Sequence, residues 1–142
     1  MTGEGLVRLA AVVEYDGTAY QGLQRQGDAP TIQRAIEEAA RMFGVEECRF
    51  AASGRTDSGV HARGQVIALD LPAHLVAKNK NIVSAINWHL PEDIRVRRVV
   101  AAPQGFDPRR NARRRTYRYF LCAGQPHPPL MMRTMGRVKA RL

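Results

Sequence analysis

A chain of 142 residues is long enough for one ordinary domain with a buried core, and an apolar content of 44% excludes disorder throughout. No apolar run reaches membrane-spanning length, and Met1-Thr2-Gly3-Glu4-Gly5 lacks the charged and apolar regions of a secretion signal. Lys and Arg number 22 against 13 for Asp and Glu, a formal charge of +9 that points to nucleic acid as partner. The excess is clustered arginine: Arg109, Arg110, Arg113, Arg114, Arg115 and Arg118 crowd one segment beside Tyr117 and Tyr119. Arg133, Arg137, Lys139 and Arg141 follow. Arginine next to aromatic rings is the pairing that holds RNA with unstacked bases. Cys48 and Cys122 stand far apart and outside any CxxC pair, so they are expected to be small apolar residues of a reduced cytoplasmic protein. The four scattered histidines form no metal-ligand cluster in sequence.

Along the chain, Val7, Leu9, Ala11 and Val13 alternate with Arg8 and Glu14, and Leu6 to Glu14 reads as a strand. Tyr15-Asp16-Gly17-Thr18 turns the chain into a polar loop, Tyr20 to Pro30, that carries Gln21, Gln24, Arg25 and Gln26. Thr31 is placed to cap a helix whose apolar stripe runs through Ile32, Ala35, Ile36, Ala39, Ala40 and Phe43, and Gly44 is a natural stop. Cys48 to Ala52 predicts a second strand, and the nearly all-apolar Gln65 to Leu71 predicts a third. Leu75, Ile82, Val83, Ile86 and Leu90 mark a second helix that ends before Pro91. Asp93 to Val100 is a fourth strand whose alternation slips at Arg97-Arg98, the pattern of a bulge. The order strand, helix, strand, strand, helix, strand predicts an α+β fold of the ferredoxin-like βαββαβ kind, an antiparallel sheet with two helices on one face. An extra C-terminal strand, about Thr116 to Ala123, can extend that sheet.

Between the second and third strands lies Ser53-Gly54-Arg55-Thr56-Asp57-Ser58-Gly59-Val60-His61, a loop longer than a tight reversal needs. Charged loops held between apolar strands are where sites tend to sit. Signals concentrate in three loops, Tyr15 to Gln26, Ser53 to Gln65 and Phe106 to Tyr119, and their grouping at one sheet end predicts a cleft. Taken by itself, Asp57 reads first as a turn aspartate that accepts from backbone amides, and Tyr117 as one face of a strand with Tyr119 and Leu121. His61 reads as a histidine bonded to backbone, and Ser58 has no histidine partner at a telling spacing.

Gly54-Arg55-Thr56-Asp57-Ser58-Gly59-Val60-His61-Ala62 resembles the signature of the tRNA pseudouridine synthase A (TruA) family. Further segments look like that family in the same order: Glu14-Tyr15-Asp16-Gly17-Thr18, Gly22-Leu23-Gln24-Arg25-Gln26, Thr31-Ile32-Gln33, Gly64-Gln65-Val66, Asn87 with Leu90-Pro91-Glu92-Asp93-Ile94, and Arg115-Thr116-Tyr117-Arg118-Tyr119. Leu23 stands where the family usually has tryptophan.

The resemblance implies isomerisation of uridine to pseudouridine at positions 38 to 40 of the tRNA anticodon stem-loop, without cofactor or metal. It implies Asp57 as the nucleophile, with Arg55 as its ionic partner and as the residue that helps hold the target nucleotide out of the stack. Tyr117 matches a tyrosine that stacks on the flipped uracil, and Arg25 and Arg115, inside matching motifs, are expected to bind substrate. The family's homodimer is the expected assembly. In domain terms, residues 1–123 are expected to be the N-terminal catalytic domain and residues 124–142 a basic linker, with Pro and Met, toward a second domain. The residues leave one alternative, a truncated, non-catalytic RNA-binding module.

Overall fold

The first strand, β1 (Leu6–Tyr15), buries Leu9, Ala11, Val13 and Tyr15 on one side, every second residue, as a half-covered strand requires. The computed structural model to which it belongs describes residues 5–123 and 128–138. Two compact units divide the chain, residues 1–112 and 113–142.

In the first unit, helix α1 (Ile32–Phe43) is bounded as its sequence predicts. The Thr31 side chain accepts from the Arg34 amide at 3.2 Å, and Gly44 closes the helix in the left-handed region at φ 111°. Strand β2 (Arg49–Ala52) leads through the 53–61 loop to β3 (Ala62–Pro72). Helices α2 (Ala73–Lys78) and α3 (Ile82–His89) and strand β4 (Ile94–Ala101) follow. The single second helix expected from Leu75 to Leu90 is thus two. The break has a local cause: Asn79 ties its amide to the Leu75 carbonyl at 2.7 Å, and Asn81 caps α3 by accepting from Ser84 N at 3.1 Å.

The four strands form one antiparallel sheet in the order β2-β3-β1-β4, the ferredoxin-like arrangement. Leu9, Ala11 and Val13 of β1, Ile67, Leu69 and Leu71 of β3, and Ile94 and Val96 of β4 meet Ile32, Ile36 and Ala39 of α1 and Ile86 of α3 in one core. Burying a side chain such as Ile36 or Ile67 contributes about 1.5–3 kcal/mol. Leu23 packs into the same core. The expected bulge forms: Val12 faces Arg98 and Val13 faces Val96, leaving Arg97 as the extra residue. A second irregularity lies where β3 begins, between the Val13–Gln65 and Tyr15–Ala62 pairs, beside the loop of interest.

On the opposite sheet face Arg8 grips Asp70, with Nε to Oδ1 and Nη2 to Oδ2 both at 2.8 Å, while Nη1 donates to the Phe106 carbonyl at 2.7 Å. The hydrogen bond from Arg8 holds the Asp70 carboxyl below its ordinary range against the opposing effect of burial.

In the second unit the extra strand forms over a shorter span and with a different partner than expected. β5 (Leu121–Ala123) pairs in parallel with β6 (Gly136–Val138) in a small sheet of its own, and residues 113–120 belong to no strand. Alternation at Tyr117, Tyr119 and Leu121 speaks of extended chain, but a strand exists only where another backbone accepts its ladder bonds. Of the expected 124–142 linker, residues 124–127 and 139–142 lie outside the described residues.

Candidate active site

Antiparallel pairing brings the end of β1, the end of β2 and the beginnings of β3 and β4 to one edge of the sheet, so the 16–31 and 53–61 loops meet there. They meet closely because of two glycines. A Cβ on Gly17 would lie 2.0 Å from the Val60 carbonyl oxygen, and one on Gly22, at φ 82°, would lie 2.8 Å from the Thr56 carbonyl oxygen.

Backbone bonds then join the loops. Leu23 N donates to Thr56 O at 3.0 Å, Gly59 N donates to Tyr20 O at 3.2 Å, and Val60 N closes a turn on Asp57 O at 3.1 Å. Side chains add to them. Tyr15 and Thr56 share a hydrogen bond between their hydroxyls at 2.7 Å, Ser58 Oγ donates to Tyr20 O at 3.3 Å, and Gly17 N donates to His61 Nδ1 at 2.9 Å. His61 therefore holds backbone, as its sequence position suggests, with Asp16 Oδ1 at 3.2 Å from the same ring nitrogen. Within the second loop, Ser53 Oγ donates to Gln65 Oε1 at 2.7 Å and Gln65 Nε2 donates to Gly54 O at 3.1 Å. The Tyr20 hydroxyl donates to Asp93 Oδ1 at 2.6 Å. Burial first, then that hydrogen bond and the Asp93 charge, push the phenol well above its ordinary range, so it stays a donor.

Between the loops opens a hollow of about 320 Å³ lined by Gln21, Gln24, Gln26, Arg55, Thr56, Asp57 and Ser58. Asp57 and Arg55 are exposed, and no ion pair joins them among the described residues. The pairing implied by family resemblance is absent here; both groups instead face one space. Neither they nor the carboxamides of Gln21, Gln24 and Gln26 have a side-chain hydrogen bond to any described residue. Asp57 is not the turn aspartate of the simplest reading, because its side chain accepts from no amide among the described residues. A hollow walled by a guanidinium, a carboxylate and three amides offers donors and acceptors to a flat, polar, partly anionic ligand such as a nucleotide.

Arg25 sits at the rim but turns away: its Nη1 donates to Glu37 Oε2 of α1 at 3.0 Å. Arg115 and Tyr117 lie in the second unit, on the exposed stretch outside regular elements. The third loop expected at the cleft departs at the far edge of the sheet. β4 runs antiparallel to β1 and ends beside Leu9, so Ala102 N reaches Arg8 O at 2.9 Å, Gln104 reaches Leu6 O at 2.8 Å, and Phe106 lies next to Arg8. Arg109 and Arg110 are carried there too, their amides held by the Asp107 carboxylate at 2.9 and 3.1 Å. Sequence reasoning missed Tyr15 and Tyr20 as anchors of the Asp57 loop; their only signal was a place inside the Glu14-Tyr15-Asp16-Gly17-Thr18 segment and its sequel. Among the described residues no group of three His, Cys, Asp or Glu side chains is placed to hold a metal, and no helix is long and apolar enough to cross a membrane.

The sequence profile described as tRNA pseudouridine synthase matches residues 11–109, which contain β2, β3, β4, the second half of β1, α1 and both loops of the hollow. The chain belongs to that family. Among its relatives named tRNA pseudouridine synthase A, that of Thermotoga neapolitana is 41% identical over 114 residues, 80% of this chain and 46% of the relative. That of Borrelia hermsii is 39% identical over 122 residues, 86% of this chain and 49% of the relative. That of Methylorubrum extorquens is 44% identical over 113 residues, 79% of this chain and 44% of the relative. The match thus covers just under half the length of each of these synthases. The hollow and its two loops lie wholly inside the stretch matched by the pseudouridine synthase profile.

Proposed function

We propose that this chain carries the nucleophile-bearing part of a tRNA pseudouridine synthase that converts uridine to pseudouridine at positions 38 to 40 of the anticodon stem-loop. The observation that carries the reading is the Asp57 carboxylate, exposed and with no side-chain bond to any described residue, on a loop whose backbone is pinned on both sides and which faces a polar hollow. A free carboxylate can add covalently to sugar or base and later leave. In the isomerisation the N1–C1′ bond breaks, the uracil turns, C5 bonds to C1′, and the C5 proton is released while N1 gains one; no cofactor or metal takes part.

Arg55 lines the hollow with no ion-pair partner among the described residues, and is suited to a phosphate of the displaced nucleotide and to the charge of Asp57. Tyr117 is proposed to stack on the flipped base, and Arg25 and Arg115 to hold RNA. For Arg25 this requires exchanging the Glu37 carboxylate for a phosphate. We further propose residues 1–123 as the N-terminal catalytic domain, residues 124–142 as a linker toward a second domain, a homodimer, and a cytoplasmic setting. The length of the relatives and the +9 charge keep one second reading in view, an RNA-binding module without turnover.

The test is release of tritium from tRNA labelled at uridine C5, with wild type and Asp57→Ala side by side and tRNA binding measured for both. Release by wild type alone, with binding kept by the variant, supports the synthase and the role of Asp57. Equal release by both removes Asp57 from the chemistry. Binding by both with release by neither means half an active site, the nucleophile without its second domain.

A further inference from the structure

Among the described residues no side-chain bond holds Asp57, yet its neighbours are bonded. On its N-terminal side the Thr56 hydroxyl meets Tyr15 OH at 2.7 Å, and the Thr56 carbonyl accepts from Leu23 N at 3.0 Å. On its C-terminal side Tyr20 O accepts from Gly59 N at 3.2 Å and from Ser58 Oγ at 3.3 Å. Tyr15 is anchored in the sheet and Tyr20 beside it. Tyr15 is the last residue of β1 and only 2% exposed, and the Tyr20 hydroxyl is tied at 2.6 Å to Asp93, just before β4. Asp16 N adds a bond to Asp93 O at 2.9 Å, which draws the start of the Tyr20 loop to the same place.

We propose that Tyr15 and Tyr20 form a two-point clamp that positions the Asp57 carboxylate, with the Tyr15 hydroxyl, acting through Thr56, as a positioning group for the reaction. The geometry favours this over general support of the fold. Apart from the Asp57 carbonyl closing its turn on Val60, the bonds fall on residues 56, 58 and 59 and leave the side chain of residue 57 without a bond to any described residue. Pinning the backbone on both sides of a free carboxylate restricts where its oxygens can go without consuming its lone pairs, which is what a preorganised nucleophile needs. The catalytic half of the inference rests on the synthase reading; the clamp itself does not.

The experiment compares wild type, Tyr15→Phe, Thr56→Val and Thr56→Ser in the intact chain by amide hydrogen exchange and, in parallel, by label release from C5-tritiated tRNA. Tyr15→Phe and Thr56→Val should each speed exchange at the Leu23 and Gly59 amides by roughly 5- to 10-fold, the equivalent of one lost hydrogen bond, while amides of Ile67 and Leu69 keep their rates. Thr56→Ser, which retains the hydroxyl, should restore wild-type exchange. Turnover should fall on the order of 10- to 100-fold with KM little changed, as expected when a reacting group is misplaced but binding is not. Unchanged exchange in both hydroxyl-deleting variants overturns the clamp, and so does acceleration spread evenly over the sheet. Faster local exchange with full turnover overturns the positioning role. Wild-type release reports separately on the synthase reading, since exchange needs no turnover.

Discussion

Gly17→Ala offers the sharpest test of how the two loops meet. Gly17 is not among the glycines with positive φ, so alanine brings no backbone strain, only a methyl group. That methyl would lie 2.0 Å from the Val60 carbonyl oxygen, 2.7 Å from its carbon and 3.2 Å from the Gly59 carbonyl carbon, all backbone atoms that cannot rotate aside. Ordinary contact needs roughly 3.5 Å, so the loops must part by about 1.5 Å. The bond from Gly17 N to His61 Nδ1, now 2.9 Å, would then be lost, and the one from Gly59 N to Tyr20 O, already 3.2 Å, would follow.

Two bonds at about 1 kcal/mol each, with about 1–3 kcal/mol for overpacking, give a loss of about 3–5 kcal/mol. For a unit of this size that lowers Tm by on the order of 15 °C. Gly27→Ala is the control: its φ of 52° carries the left-handed penalty, but nothing lies within 4 Å of its Cβ. It should cost only about 1–2 kcal/mol. Thermal melting and urea denaturation of the two variants beside wild type make the measurement. A Gly17→Ala protein as stable as Gly27→Ala would refute the close packing of the two loops, and with it the geometry of the hollow.

Asp70→Asn should destabilise by about 2 kcal/mol at neutral pH, the scale of hydrogen bonds to a charged group. Because Arg8 lowers the folded pKa of Asp70, its stabilisation is complete above the unfolded value of about 3.9 and disappears as pH falls through the folded one. The gap from wild type should hold steady between pH 7 and about 5 and close in acid; a gap that grows on acidification would contradict the assignment. Asn87→Ala should cost about 2–4 kcal/mol, because the Asn87 side chain accepts from Val96 N at 2.8 Å and donates to Val96 O at 2.9 Å, both buried on β4. The midpoint in urea should drop with an unchanged m-value, and a loss under about 0.5 kcal/mol would mean that β4 finds other partners.

What could be read in the sequence was whatever local chemistry decides. Helix α1 begins at Thr31 and ends at Gly44 because a side-chain cap and a left-handed glycine act within a few residues of themselves. The β4 bulge showed as a slip in alternation at Arg97, and Asn81 carried an unread capping signal that splits the second helix. The loop around Asp57 stood out because its polar run is bounded by strands. Through-space relations were decided by tertiary structure alone. The Phe106 loop went to the far edge because β4 runs against β1, a consequence of pairing that no stretch of sequence records. Arg25 turned to Glu37 because α1 carries that carboxylate within reach. Tyr15 and Tyr20 came to hold the Asp57 loop across some forty residues of chain. Periodicity and caps are encoded in neighbours along the backbone, whereas a site is an agreement among residues that only folding makes neighbours.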